Sequence, residues 1–204
     1  MSTTGQLVHN ELPISSSLTS TTLTLLALNV AISKAWPSVR LDEYYPSACT
    51  LDRDTFVYSM APVTGLTDER AIIGKVYITE ESTFPEVGHR SVRTRYDQSA
   101  RVWSLIFADS LVNAYHGKVV NLQLQYPHAR ISAISDTIYL PHDYLVARVA
   151  VWYADYLMAE QSIDPGRWAS LRAEWTEDFE KSLRANQTPA LMPLMMTGSD
   201  RMPV

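Results

Sequence analysis

The 204 residues are 46% hydrophobic and carry 17 basic against 22 acidic side chains, a formal charge of −5. Five Trp and eleven Tyr argue for a folded core or interfaces over disorder, and the acidic balance argues against a general nucleic-acid binder, which needs a basic surface to neutralise phosphates. The single cysteine, Cys49, excludes an internal disulfide and suits an intracellular origin.

Residues 1–17 are polar, with Ser and Thr gathered at the end, and are expected to form a flexible or partner-ordered arm. Residues 18–36 read as the first helix. Leu25, Leu28 and Ile32 recur at helical spacing beside Leu26 and Ala35, and Pro37 ends the helix because the residue before a proline avoids helical backbone angles. The apolar run from Leu23 to Ile32 is too short to span a bilayer, and no Lys or Arg precedes it. Neither a membrane span nor a signal peptide is therefore expected. Residues 37–53 contain Pro37, Pro46 and Tyr44-Tyr45, with room for one further helical turn.

From about 54 to 140 the pattern turns β-rich. Thr55–Met60 alternates, and Ala71–Thr79 is β-branched and aromatic. Ser91–Tyr96, then Asp97–Ala100, then Arg101–Phe107 reads as a hairpin. Val120, Leu122, Leu124 and Tyr126 alternate through residues 118–126, and Ala129–Ile134 predicts a short strand. Pro141 opens a helix over 142–161, with apolar residues at Leu145, Val149, Trp152 and Tyr156. Asp164-Pro165 supplies a cap and a first helical residue for another over 165–185, marked by Trp168, Leu171, Trp175, Phe179 and Leu183. The short connector makes the two an antiparallel hairpin, against which the first helix packs. Strands bunched between helices, without βαβ alternation, give an α+β fold: a helical layer, a β-rich antiparallel middle insertion and extended termini. Residues 186–204 form an apolar tail with Pro189 and Pro193 excluding a continuous helix; Leu191, Met192, Leu194, Met195 and Met196 are expected to dock on a partner.

The chemistry-bearing candidates are few. His142-Asp143 at a helix start offers a metal-dependent hydrolase, though such enzymes need further His and Asp ligands and an acidic residue there also favours the helix N-terminus. Cys49 has no His or carboxylate nearby in sequence to activate it. The glycines are scattered singly, forming no phosphate loop, and no Cys/His spacing matches zinc. Arg90, Arg93, Arg95 and Arg101 make a local basic hairpin that can meet nucleic acid or an acidic partner, or simply be solvated. The expectation is a non-enzymatic chain without cofactor or metal.

At Asp136-Thr-Ile138-Tyr-Leu140-Pro141, followed by an alanine- and aromatic-rich helix, the sequence resembles the head-to-tail adaptor (connector) proteins of tailed bacteriophages. Arg95-Tyr96 before the strand 101–107 also resembles related neck proteins, as does the order of first helix, β-rich insertion and extended tail. The resemblance implies a virion structural protein of the phage neck. It would assemble in the host cytoplasm into a ring, implied to have twelve copies, beneath the portal. That ring would bind portal and downstream tail or stopper protein and pass DNA without sequence-specific contact. The long β-rich middle leaves a stopper or tail-completion protein as another neck reading, with the hydrolase on His142 and Asp143 as the enzymatic alternative.

Overall fold

The computed structural model describes residues 3–63, 66, 68–80, 85–88, 90–160, 164–191 and 194. The chain is α+β and forms two compact units. One comprises residues 1–41 with 127–189; the other comprises 42–126 with the chain from Ala190.

In the helical unit, β1 (Thr3–Thr4) leads into α1 (Gly5–Asn10), and α2 spans Thr21–Ala35. Ser20 caps α2, its side chain accepting from the Leu23 amide, which satisfies one of the amides left unpaired at a helix start. Ala27, Leu28, Ala31, Ile32 and Ala35 are buried, whereas Leu26 points to solvent. β8 is the two-residue strand Thr137–Ile138, and the hairpin is α4 (His142–Glu160) and α5 (Pro165–Ala185). The helices run antiparallel: Asp143 meets Ser182 at one end and Asp155 meets Arg172 further along. Asp164, in the left-handed region at φ 55°, caps α5 through the Arg167 amide, and Pro165 follows as expected. Trp168 and Trp175 are buried with Ala150, Val151, Ala154 and Leu157 of α4. Ile14 and Leu18, from the segment before α2, pack against this cluster.

Two expectations fail in this unit. The arm expected to be loose over 1–17 is packed from Thr3 to Ile14: Val8 is fully buried, Leu12 nearly so, and Thr3–Thr4 pairs antiparallel with Thr137–Ile138. Gly5 makes this possible, since a Cβ there would sit 2.8 Å from both the Ile134 carbonyl oxygen and Leu28 Cδ1. The strand over 129–134 does not form. The Asn29 side chain takes the place of a neighbouring strand, donating to the Ile131 carbonyl and accepting from the Ile131 amide, each at 3.0 Å.

In the β-rich unit, β2 (Leu41–Thr50), β3 (Val57–Ser59), β4 (Ile72–Ile78), β5 (Val92–Asp97), β6 (Val102–Phe107) and β7 (Val119–Tyr126) form two three-stranded sheets. Their orders are β2-β7-β4 and β3-β6-β5, with β4–β7, β3–β6 and β5–β6 antiparallel. One core lies between them: Val76, Ile78, Leu122 and Leu124 from the first sheet join Val92, Trp103, Leu105 and Phe107 from the second. The predicted hairpin is present, its turn held by the Asp97 carboxylate accepting from Ser99 and Ala100 amides. The helical turn expected within 37–53 is instead strand β2. Its first six residues alternate between half-buried Leu41, Glu43, Tyr45 and exposed Asp42, Tyr44, Pro46, a period of two. The alternation carries charged and proline residues because β2 lies at the edge of its sheet, where a missing amide is tolerated. A short helix, α3 (Asp109–Ala114), joins β6 to β7 around buried Val112.

Candidate functional site

The motif that carries the family resemblance is built as a rigid lead-in to α4. The Asp136 carboxylate accepts from the Ser132 amide at 2.8 Å, the Ala133 amide at 2.9 Å and the Ser132 hydroxyl at 3.0 Å. These bonds, the backbone amides foremost, hold Asp136 below the ordinary carboxylate range. Ile138 pairs with Thr3 and is fully buried, as is Leu140. The Pro141 carbonyl then accepts from the Leu145 amide, opening the first turn of α4. Asp136 thus holds the turn, Ile138 and Leu140 anchor the segment in the core, and Pro141 starts the helix.

His142 and Asp143 follow immediately, and their side chains are engaged in separate networks. His142 Nδ1 hydrogen-bonds with Thr3 Oγ1 at 2.8 Å, and Nε2 meets a Glu11 carboxylate oxygen at 2.7 Å. The ring therefore clasps both ends of the N-terminal segment. Asp143 accepts from Ser182 Oγ at 2.8 Å and Asn186 Nδ2 at 2.9 Å, tying the start of α4 to the end of α5. Partial burial alone would raise its pKa, but these bonds and backbone amides outweigh it and the carboxyl stays below its usual range. A groove of about 580 Å³ runs beside them, lined by Glu11, Val146, Trp175 and Lys181 among others. Among the described residues no three His, Cys, Asp or Glu side chains converge as a metal site would require.

The four arginines occupy one hairpin. Arg90 lies just before β5, and Arg93 and Arg95 are both exposed on it. Arg101 sits in the turn at φ 52°. Because Val92 and Thr94 are buried while Arg93 and Arg95 are not, both arginines stand on the outer face of the β3-β6-β5 sheet.

The tail expectation is corrected at two positions. Leu194 is buried at 2% exposure in the unit's own core, and its amide donates to the Ile73 carbonyl of β4. The Leu191 amide donates to Gln125 Oε1 at 2.9 Å, and its side chain lies over Gly74. A short apolar segment finds its burial on the neighbouring sheet because glycine at 74 leaves room for it. Met192, Met195 and Met196 lie outside the described residues.

Sequence reasoning missed a second groove, of about 600 Å³, on the β2-β7-β4 sheet. It is lined by Asp42, Glu43, Tyr44, Tyr77 and Gln123, with the rings of Tyr44 and Tyr77 tilted at 6.2 Å. The signal was present as Asp42-Glu43-Tyr44, but only the sheet order brings Tyr77 beside it. Cys49 is half-buried, and burial pushes the pKa of its thiol up to about 12, so it is inert as a nucleophile at neutral pH. No described helix is long and apolar enough to cross a membrane. Neither a known protein family nor a curated protein matches the chain.

Proposed function

We propose that this chain is a structural head-to-tail adaptor of a tailed-phage neck, assembling in the host cytoplasm and residing in the virion. It forms a ring, of twelve copies by the resemblance, that joins the portal above to a tail or stopper protein below and continues the DNA channel. The observation that carries this reading is the lead-in Asp136–Pro141. Its residues stand in the order of the resembling family, directly before a helix that packs on both an N-terminal helix and its own hairpin partner. An acidic chain suits a conduit that DNA slides through, since phosphate-binding cations would retard it.

The reading requires no catalysis: His142 and Asp143 hold the fold together and Cys49 is protonated. The test is to mix the purified chain with the portal ring of the same phage and follow the mixture by sedimentation and electron microscopy. A ring of this chain seated on the portal's tail-facing end supports the proposal. A chain that ignores the portal but binds the tail end would make it a stopper or tail-completion protein, and one that binds neither would end the neck reading.

A further inference from the structure

The two outer faces of the β-rich unit carry opposite character. Both sheets turn their apolar side chains into one core, so their outer faces point away from each other. One outer face presents Arg93 and Arg95, two residues apart on β5 and so about 7 Å apart. Neither guanidinium forms a salt bridge among the described residues. The neighbouring carboxylate, Asp97, attracts Arg95 through space, but its hydrogen bonds go to Ser99 and Ala100. The opposite face presents the groove of Asp42, Tyr44 and Tyr77, with half-buried Glu43 in its lining and accepting from the Tyr126 hydroxyl. Its one lysine neighbour on β4, Lys75, is already paired with Glu86 at 3.0 Å, so the groove keeps a negative balance. Tyr44 is 49% exposed. A half-exposed tyrosine beside carboxylates is the kind of pocket in which an arginine gains both an ion pair and a ring to stack on.

We infer that these faces are the two halves of one contact, with Arg93 and Arg95 of one copy entering the Asp42–Tyr44–Tyr77 groove of the next. Complementary patches on opposite faces make a head-to-tail contact, which propagates and closes into a ring where the rotation allows, instead of stopping at a two-fold dimer. The occupant is a second copy because the charge complement of each face is found on this same unit, in a chain whose formal charge is −5. The contact rests on the neck-ring reading for its biological setting, but its chemistry stands on the two faces alone.

The test uses the full chain, alone and with the portal ring, by analytical sedimentation over rising concentration. Arg93→Glu with Arg95→Glu, and separately Asp42→Lys with Glu43→Lys, should each weaken self-association roughly a hundredfold, since like charges are brought face to face. Circular dichroism and a melting curve check that each variant is folded; where one is not, the milder Arg93→Gln with Arg95→Gln replaces it on the arginine face and Asp42→Asn alone on the groove face. Mixing the two reversed variants should restore assembly, because each then supplies the face its neighbour lacks. Raising salt should weaken the wild-type contact. If the wild type assembles and the arginine variants assemble equally well, the proposed contact is wrong and the neck reading stands. If the mixture of reversed variants stays dissociated, the faces do not meet. If the wild type remains monomeric with and without portal, both the contact and the ring fall.

Discussion

Replacing Gly74 by alanine tests whether the chain beyond Ala190 belongs to the β-rich unit. Gly74 lies where the β4–β7 register shifts between Ile73 and Lys75, and its backbone is not in the left-handed region, so alanine is conformationally acceptable. The obstacle is Leu191. A Cβ on residue 74 would lie 2.6 Å from Leu191 Cβ, 2.7 Å from Cδ1 and 3.0 Å from Cγ. Leu191 must lift off, breaking its bond to Gln125 and pulling Leu194 from the core. Exposing a leucine costs about 1.5–3 kcal/mol and losing a net hydrogen bond about 0.5–1.5 kcal/mol. Removing glycine from a strand returns about 0.5–1 kcal/mol. The expected loss is therefore about 1–4 kcal/mol, read as a shift in urea midpoint at constant slope. In a chain ending at Ala190 the obstacle is gone, and the same substitution should become neutral or stabilising by about 0.5–1 kcal/mol. The two changes are coupled by direct contact, so non-additivity is required. A cost for Gly74→Ala that is equal in both backgrounds would refute the packing of Leu191 and Leu194 on this sheet.

Trp168→Ala and Trp175→Ala should each destabilise the helical unit by about 3–5 kcal/mol, because both indoles are buried against α4; a loss under about 1 kcal/mol in denaturant unfolding would place them at a surface. Asp143 is held below its usual range in the fold, so its contribution is present above the ordinary carboxylate value of about 4 and fades as pH falls through the lower folded value. Asp143→Asn should accordingly be less stable than the wild type at neutral pH, with the gap narrowing on acidification; a pH-independent gap would show that the charge plays no part. The Cys49 thiol, with its pKa raised to about 12, should react with iodoacetamide at pH 8 roughly a thousandfold more slowly than an unfolded cysteine. Equal rates in native and urea-unfolded protein would mean that it is not buried.

The long elements were legible because their signals are local. Three- and four-residue spacing with Asp164-Pro165 defines the helical hairpin, and Asp97 between two alternating runs defines the β5–β6 turn. The candidate site was legible only in part. Arg93 and Arg95 announce themselves as a pair on one strand face, whereas the groove opposite needs Tyr44 and Tyr77, which meet only once β2, β7 and β4 are ordered in a sheet. His142 and Asp143 read in sequence as a helix start, with a hydrolase only as the alternative, and the partners that engage them, Thr3, Glu11, Ser182 and Asn186, are far along the chain.

By itself the sequence determined the α+β class, the helical hairpin, the basic hairpin and the burial of Trp168 and Trp175, because helix caps, turns and period-two or period-three-to-four spacing act over a few residues. Tertiary structure decided the short pieces. Residues 3–10 pack because Gly5 fits beneath Ile134 and Thr3 pairs beside Ile138. Residues 129–134 remain irregular because Asn29 satisfies Ile131, and Leu191 and Leu194 come to rest on β4 and β7 because Gly74 and Gln125 receive them. Segments this short cannot bury their own apolar surface or pair their own amides, so their conformation follows from distant partners that no local pattern records.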